Sequence, residues 1–268
     1  MPDTLRDHLI ETEPYFLPTG QEVDLFTAAH AIRMPVMLKG PTGSGKTRFV
    51  EHMAWRLRTP LVTVACHEDM TAADLVGRYL LNGNGTVWED GPLTRAVRHG
   101  GICYLDEIVE ARQDTTVVIH PLTDGRAILP LEKKNELVRA HPAFHLVISY
   151  NPGYQSVAKD LKESTKQRFA ALDFTYPGPT AEARIIRHES GVGADVAQWL
   201  VRIGEKTRNL KGHGLDEGAS TRMLVQTARL HAQGIPLAAA CETVLIVPLT
   251  DDIHIRDALS ATVAAVVA

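Results

Sequence analysis

Pro35-Val36-Met37-Leu38-Lys39-Gly40-Pro41-Thr42-Gly43-Ser44-Gly45-Lys46-Thr47 is the stretch on which the reading of this chain turns. Its first five residues form a short apolar run of strand type, and the octet from Gly40 to Thr47 matches G-x-x-x-x-G-K-[ST]. Downstream, Phe49, Val50, Met53, Ala54 and Leu57 recur at helical spacing on one face. A strand, a glycine turn and a helix in that order build an anion cradle. Glycines let the backbone wrap around phosphates with amide hydrogens inward, and the helix N-terminus adds its dipole. Lys46 supplies a point charge for β- and γ-phosphates, and the Thr47 hydroxyl a ligand for Mg²⁺. Gly40, Pro41, Thr42, Gly43, Ser44, Gly45, Lys46 and Thr47 are therefore the expected nucleotide-binding residues, with ATP and Mg²⁺ as ligands.

Ile102-Cys103-Tyr104-Leu105-Asp106-Glu107 is an apolar strand that ends in adjacent carboxylates, with Asp106 sixty positions beyond Lys46. Asp106 at the strand end is expected to face the same Mg²⁺ as Thr47. Glu107 is then free to orient and deprotonate an attacking water. Asn151 ends a later strand, His145-Leu146-Val147-Ile148-Ser149-Tyr150, and reads either as a contact to the γ-phosphate or lytic water or as an Asn-Pro turn. Arg168, in Lys-Gln-Arg-Phe, reads either as a finger reaching a neighbouring subunit's γ-phosphate or as a surface helix residue. Arg222, near the start of a later helix, reads as a second phosphate contact or as a helix-surface arginine. His67, directly after the second strand, is a possible hydrogen-bond partner for Glu107 or a polar loop residue.

Outward from these motifs, strand candidates at Pro35–Lys39, Leu61–Ala65, Ile102–Asp106, Leu146–Tyr150 and Leu172–Tyr176 alternate with helical segments. Continuous apolar runs suit strands covered on both faces, so a parallel sheet with right-handed crossovers is expected. Two segments break the alternation and read as hairpin insertions, at about 78–91 and 124–144. After Pro177-Gly178-Pro179 the pattern turns helical. The expected organisation is an α/β nucleotide-binding core over 1–177 and a small all-helical lid over 178–268.

Composition narrows the function classes. With 28 basic and 32 acidic side chains the net charge is −4, and neither half hides a basic excess, which argues against nucleic acid as a partner. An apolar fraction of 44% with 22% charged residues is that of a chain able to build a core. Cys66, Cys103 and Cys241 have no pairing or metal-ligand spacing and read as buried thiols in a reducing compartment. No stretch is long and apolar enough for a membrane span, and the polar start does not read as a signal peptide. A cytoplasmic location is expected. The twelve histidines show no paired ligand spacing.

Taken together and in this order, these residues resemble an AAA+ ATPase over roughly Thr19–Ala240. Gly40–Thr47 resembles its Walker A motif, Ile102–Glu107 Walker B, Asn151 sensor 1, Arg168 the arginine finger and Arg222 sensor 2. The insertion after Asp74-Leu75-Val76-Gly77 and the hairpin before sensor 1 are similar to the MoxR branch. The stretches from Arg33 to Trp55, Glu68 to Leu81, Cys103 to Asp124 and Leu146 to Ser156 resemble the CbbQ/NorQ group, most of all its CbbQ side. Thr221 departs from the pattern, since many MoxR relatives carry proline there. The resemblance implies a P-loop AAA+ five-stranded core with a helical lid, assembled as a hexameric homo-oligomer that hydrolyses ATP between subunits. It also implies a partner with a von Willebrand factor A domain (CbbO-like or NorD-like). The client is then rubisco, freed of inhibitory sugar phosphates, or on the NorQ side a nitric oxide reductase under maturation. Two other classes remain: a nucleotide-binding switch, which needs no water-activating base such as Glu107, and a small-molecule kinase, for which no acceptor signature is visible.

Overall fold

A computed structural model describes residues 3–83, 85–152 and 161–267. Asn84, within the segment read from sequence as the first insertion, and Gly153–Ser156, at the end of one family-like stretch, lie outside the described residues. Two units are distinguishable: residues 1–40 with 46–174, and residues 41–45 with 175–268.

The first unit carries strands β1 (Val36–Lys39), β2 (Leu61–Ala65), β3 (Gly77–Asn82), β4 (Gly85–Asp90), β5 (Gly101–Asp106), β6 (Ile128–Leu131), β7 (Glu136–Arg139), β8 (Phe144–Tyr150) and β9 (Ala170–Asp173). Five of them form a wholly parallel sheet in the order β2-β5-β8-β1-β9, as expected for the α/β core. Its helices are α1 (Glu22–Ala31), α2 (Lys46–Arg56), α3 (Ala72–Val76), α4 (Pro92–His99), α5 (Gln113–Val117) and α6 (Glu163–Lys166). Side chains alternate across the sheet with period two. Ile102 and Tyr104 join Leu38, Phe49, Met53 and Val147 in one core cluster. Cys103 and Leu105 join Met37, Leu93, Val97 and Ile148 in another. The fifth strand begins two positions and ends three positions earlier than its sequence suggests. β1 is its neighbour and pairs Val36 to Lys39 with Ala170 to Asp173. Where β1 turns into the glycine loop, no backbone partner continues, so Thr175 and Tyr176 leave the sheet.

Two antiparallel hairpins accompany the sheet, β3 with β4 and β6 with β7. In the first, Tyr79 and Trp88 face each other edge-on at 5.1 Å between ring centroids, so these aromatics pack locally. Arg98 of α4 bonds both hairpins, through Asp90 at 2.8 Å and Glu136 at 2.6 Å.

The second unit is helical. It contains α7 (Pro179–Ser190), α8 (Ala194–Arg208), α9 (Thr221–Ala232), α10 (Leu237–Cys241), a single wide π turn at Glu242–Ile246, α11 (Val247–Leu249) and α12 (Ile253–Val267). Proline at the first position of α7 and left-handed Gly191 after its end bound that helix at both termini. Ser220 caps α9, its hydroxyl accepting from the Met223 amide at 3.3 Å. Helix α12 escapes a reading by periodicity because its sequence, Ala-Leu-Ser-Ala-Thr-Val-Ala-Ala-Val-Val, has little contrast between faces. Tertiary packing selects Leu259 and Val263, one turn apart, for burial. Among the described residues no helix is long and apolar enough to cross a membrane, and all three cysteines are free and buried.

Candidate active site

The glycine loop opens where β1 ends. Gly40 takes φ 151°, and a side chain there would meet the Phe174 carbonyl oxygen at 2.2 Å. Both facts require glycine. Gly43 and Gly45 also sit at positive φ, 69° and 100°. Ser44 closes the turn, its hydroxyl donating to the Pro41 carbonyl at 2.8 Å. Lys46 then begins α2 with its side chain buried. Its ammonium donates to the Gly40 carbonyl at 2.8 Å and to Asn151 Oδ1 at 2.7 Å.

Sheet order explains the second partner. β8 lies between β1 and β5, so Asn151, just past the end of β8, stands between the loop after β1 and the carboxylates after β5. Its Nδ2 donates to Glu107 Oε1 at 3.2 Å. Asn151, rather than His67, is the hydrogen-bond partner of Glu107, and His67 is exposed. Lys46, Asn151 and Glu107 thus form one hydrogen-bonded chain across three strands.

Asp106 sits beside them. Thr47 Oγ1 is 3.4 Å from its Oδ2, while Oδ1 accepts from the Tyr104 hydroxyl at 2.6 Å and the Ser149 hydroxyl at 2.5 Å. Ser149 in turn accepts the Glu107 amide at 2.9 Å, which holds Glu107 in the left-handed conformation at φ 56°, ψ 48°. A non-glycine residue in that region is uncommon and is kept there by its surroundings. Burial, and then the Asp106 charge, push the Tyr104 phenol up, so it stays a proton donor to the carboxylate. The Cys66 thiol, whose amide bonds the Asp106 carbonyl, is pushed up to about 12 by burial first and then by Asp106 and Glu107. It remains neutral.

Tyr104 and Ser149 were not among the sequence candidates. A period-two signal pointed to them, since Tyr104 precedes Asp106, and Ser149 precedes Asn151, by two strand positions. The Thr47 hydroxyl and the Asp106 carboxylate oxygen, 3.4 Å apart, are hard oxygen donors of the kind Mg²⁺ takes and would hold it beside a bound nucleotide. Among the described residues no group of three or more His, Cys, Asp or Glu side chains is placed to hold a metal.

Two arginines complete the set of sequence candidates. Arg168 bonds the Ser164 carbonyl at 3.2 Å and the His120 carbonyl at 3.4 Å, and pairs with Asp124 at 3.5 Å. These partners lie outside the phosphate loop of its own chain. Arg222 enters the helical unit's N-terminal turn of α9, where its Cβ lies 3.3 Å from the position a Gly43 side chain would take. The structure therefore brings Arg222 to the glycine turn. Thr221, in place of proline, donates to Glu182 Oε1 at 2.6 Å inside the helical core. Within the same unit an open cleft of about 620 Å³ is lined by Thr42, Asp216, Glu217, Met223, Val244 and Leu249, among others.

Residues 35–169 match the family model described as AAA domain (dynein-related subfamily), and residues 182–266 the one described as CbbQ/NirQ/NorQ C-terminal. Protein CbbQ of Hydrogenophilus thermoluteolus is 63% identical over 259 residues, 97% of both chains. Protein NorQ of Paracoccus denitrificans is 57% identical over 94% of each. Denitrification regulatory protein NirQ of Pseudomonas aeruginosa is 56% identical over 90% of this chain and 93% of its own. A solved putative ATPase from Cytophaga hutchinsonii shares the fold at a TM-score of 0.51 and 14% identity, over 92% of this chain and 89% of that one.

Proposed function

The chain belongs to the CbbQ/NirQ/NorQ group of AAA ATPases, and from that premise we propose that it works as a Mg²⁺-dependent ring motor, hydrolysing ATP to remodel a client enzyme. The observation that carries the catalytic reading is the Lys46–Asn151–Glu107 chain. A phosphate in the loop gives the Lys46 ammonium stronger acceptors than the Gly40 carbonyl and the Asn151 amide. Lys46 then turns to the β- and γ-oxygens, and Asn151 is released to hold the γ-phosphate or the water. Glu107 takes a proton from that water as its oxygen bonds to the γ-phosphorus and the bond to the β,γ-bridging oxygen breaks. Thr47 and Asp106 would hold Mg²⁺, which when bound would neutralise charge on the phosphates. Ser149 and Tyr104 aim the Asp106 carboxylate. Arg222 reports the phosphate to the helical unit, and Arg168 acts on the nucleotide of the adjacent subunit.

The assembly is a homo-hexamer with a von Willebrand factor A domain partner, and rubisco is the client. Support for this finer reading comes from the resemblance to the CbbQ side of the group and the 63% identity to a CbbQ protein. The NorQ relative at 57% supports a second reading, maturation of nitric oxide reductase. A rubisco reactivation assay with inhibited enzyme, ATP and the partner separates them. Release of the inhibitory sugar phosphate is expected. No release, with activation of nitric oxide reductase instead, would reverse the choice.

A further inference from the structure

The phosphate loop is tethered from outside, by a residue that no motif marks. Pro41–Gly45 pack in one unit with Thr175–Ala268. Within it the Tyr176 hydroxyl donates to the Thr42 carbonyl oxygen at 3.1 Å. All described peptide bonds are trans, and across a trans peptide the carbonyl and the next amide point in opposite directions. Holding the Thr42 carbonyl on one side therefore fixes the direction of the Gly43 N–H on the other. Gly43 is crowded as well as left-handed, since a Cβ there would lie 2.7 Å from the Ser220 side chain.

Tyr176 is itself held. The Arg208 guanidinium lies over its ring at 4.0 Å. Arg208 bonds both oxygens of Glu182, at 2.9 and 2.7 Å, and the Ala219 carbonyl at 2.8 Å. Glu182 is fully buried and also accepts from Thr221 Oγ1. Gly218 lets the loop before α9 close on this pair, because a Cβ there would sit 2.4 Å from the Arg208 Cα. A bidentate, fully bonded pair of this kind has one geometry, so the ring above it has little freedom. Burial raises the Tyr176 phenol, which stays a donor.

We propose that Tyr176, seated on the Arg208–Glu182 pair, is a positioning residue that sets the Thr42–Gly43 peptide for phosphate before any nucleotide arrives. The proposal rests on the reading of residues 40–47 as a phosphate site. Preorganisation of this type is read as affinity, because the ordering is complete before binding.

Tyr176→Phe keeps the ring and its contact with Arg208 and removes the hydroxyl alone. Titration calorimetry of the full chain with Mg-ADP is expected to show the dissociation constant raised about threefold to tenfold, the range of one net hydrogen bond. The melting temperature without nucleotide is expected to fall by no more than about 2–4 °C, the scale of one hydrogen bond in a chain of this size, and KM for ATP to rise more than kcat falls. Wild-type affinity in the variant overturns the proposal and leaves the ATPase reading intact. A larger fall in the nucleotide-free melting temperature overturns it too, since lost packing then accounts for the weaker binding. Failure of the wild type to bind Mg-ADP overturns the phosphate reading beneath it.

Discussion

The Lys46 ammonium donates to the Asn151 amide oxygen at 2.7 Å, across 105 positions of chain. The same amide spends its nitrogen on Glu107 at 3.2 Å, so the orientation of Asn151 is set from both ends. The proposed phosphate-binding cation and the proposed base are thereby joined through one side chain, and nucleotide entry is expected to change what both of them touch.

Asn151→Ala cuts this connection. Turnover is expected to fall about a hundredfold, the scale of one lost transition-state donor, with Mg-ADP affinity changed less than about tenfold. Steady-state kinetics beside calorimetry checks the split. Turnover within about twofold of wild type would remove Asn151 from the mechanism.

Glu107→Gln preserves shape and the acceptor for Asn151 while abolishing the base. ATP binding should persist and hydrolysis drop by about 10²–10⁴, the usual contribution of general base catalysis. Phosphate release under saturating ATP is the measurement, and unchanged turnover would reassign the base.

Arg168 is tied to Asp124 and two carbonyls, away from its own phosphate loop. Arg168→Ala should abolish hydrolysis in pure rings. Mixing it with Lys46→Ala subunits should restore part, because both defects then fall on one kind of interface and leave the other, with Lys46 from one subunit and Arg168 from its neighbour, intact. The half-exposed ion pair to Asp124, 3.5 Å long, contributes little stability, so folding should be nearly unaffected. Mixed rings without recovery would place the finger elsewhere.

His145 gives a pH dependence to stability. It is buried in β8 against Phe26 and His30, at 5.3 and 5.0 Å between ring centroids, and among the described residues neither ring nitrogen has a hydrogen-bond partner. Burial, and then His30, push it down to about 3. Folded His145 is therefore neutral, while the unfolded side chain takes a proton near 6.5. Its depressed value means stability is complete above that pH and is lost as pH falls from 6.5 towards 3. By pH 5 the loss is about 2 kcal/mol, at about 1.4 kcal/mol per pH unit. Urea midpoints for wild type and His145→Leu at pH 8, 6 and 5 should diverge in slope, the variant falling less. Parallel curves would refute the assignment.

Local chemistry alone was enough to read the glycine loop, the Asp106-Glu107 strand end, the parallel α/β core and the helical character that follows Pro177. Each rests on residues adjacent in the chain, where period, turn chemistry and motif spacing act directly. The ranks of Asn151 and His67 were not legible in that way. Both follow strands, and only the order β2-β5-β8-β1-β9 puts the end of β8 between lysine and carboxylates, making Asn151 the partner of Glu107. Ser149 and Tyr104 became part of the site for the same reason, since a hydroxyl on a strand matters only once its neighbours are known. Tyr176 is the plainest case. It reads as the end of a fifth strand until β1 stops at Lys39 and frees it, and its value lies in a carbonyl 134 positions away. Contacts of that span depend on how the chain closes on itself, and no local pattern encodes them.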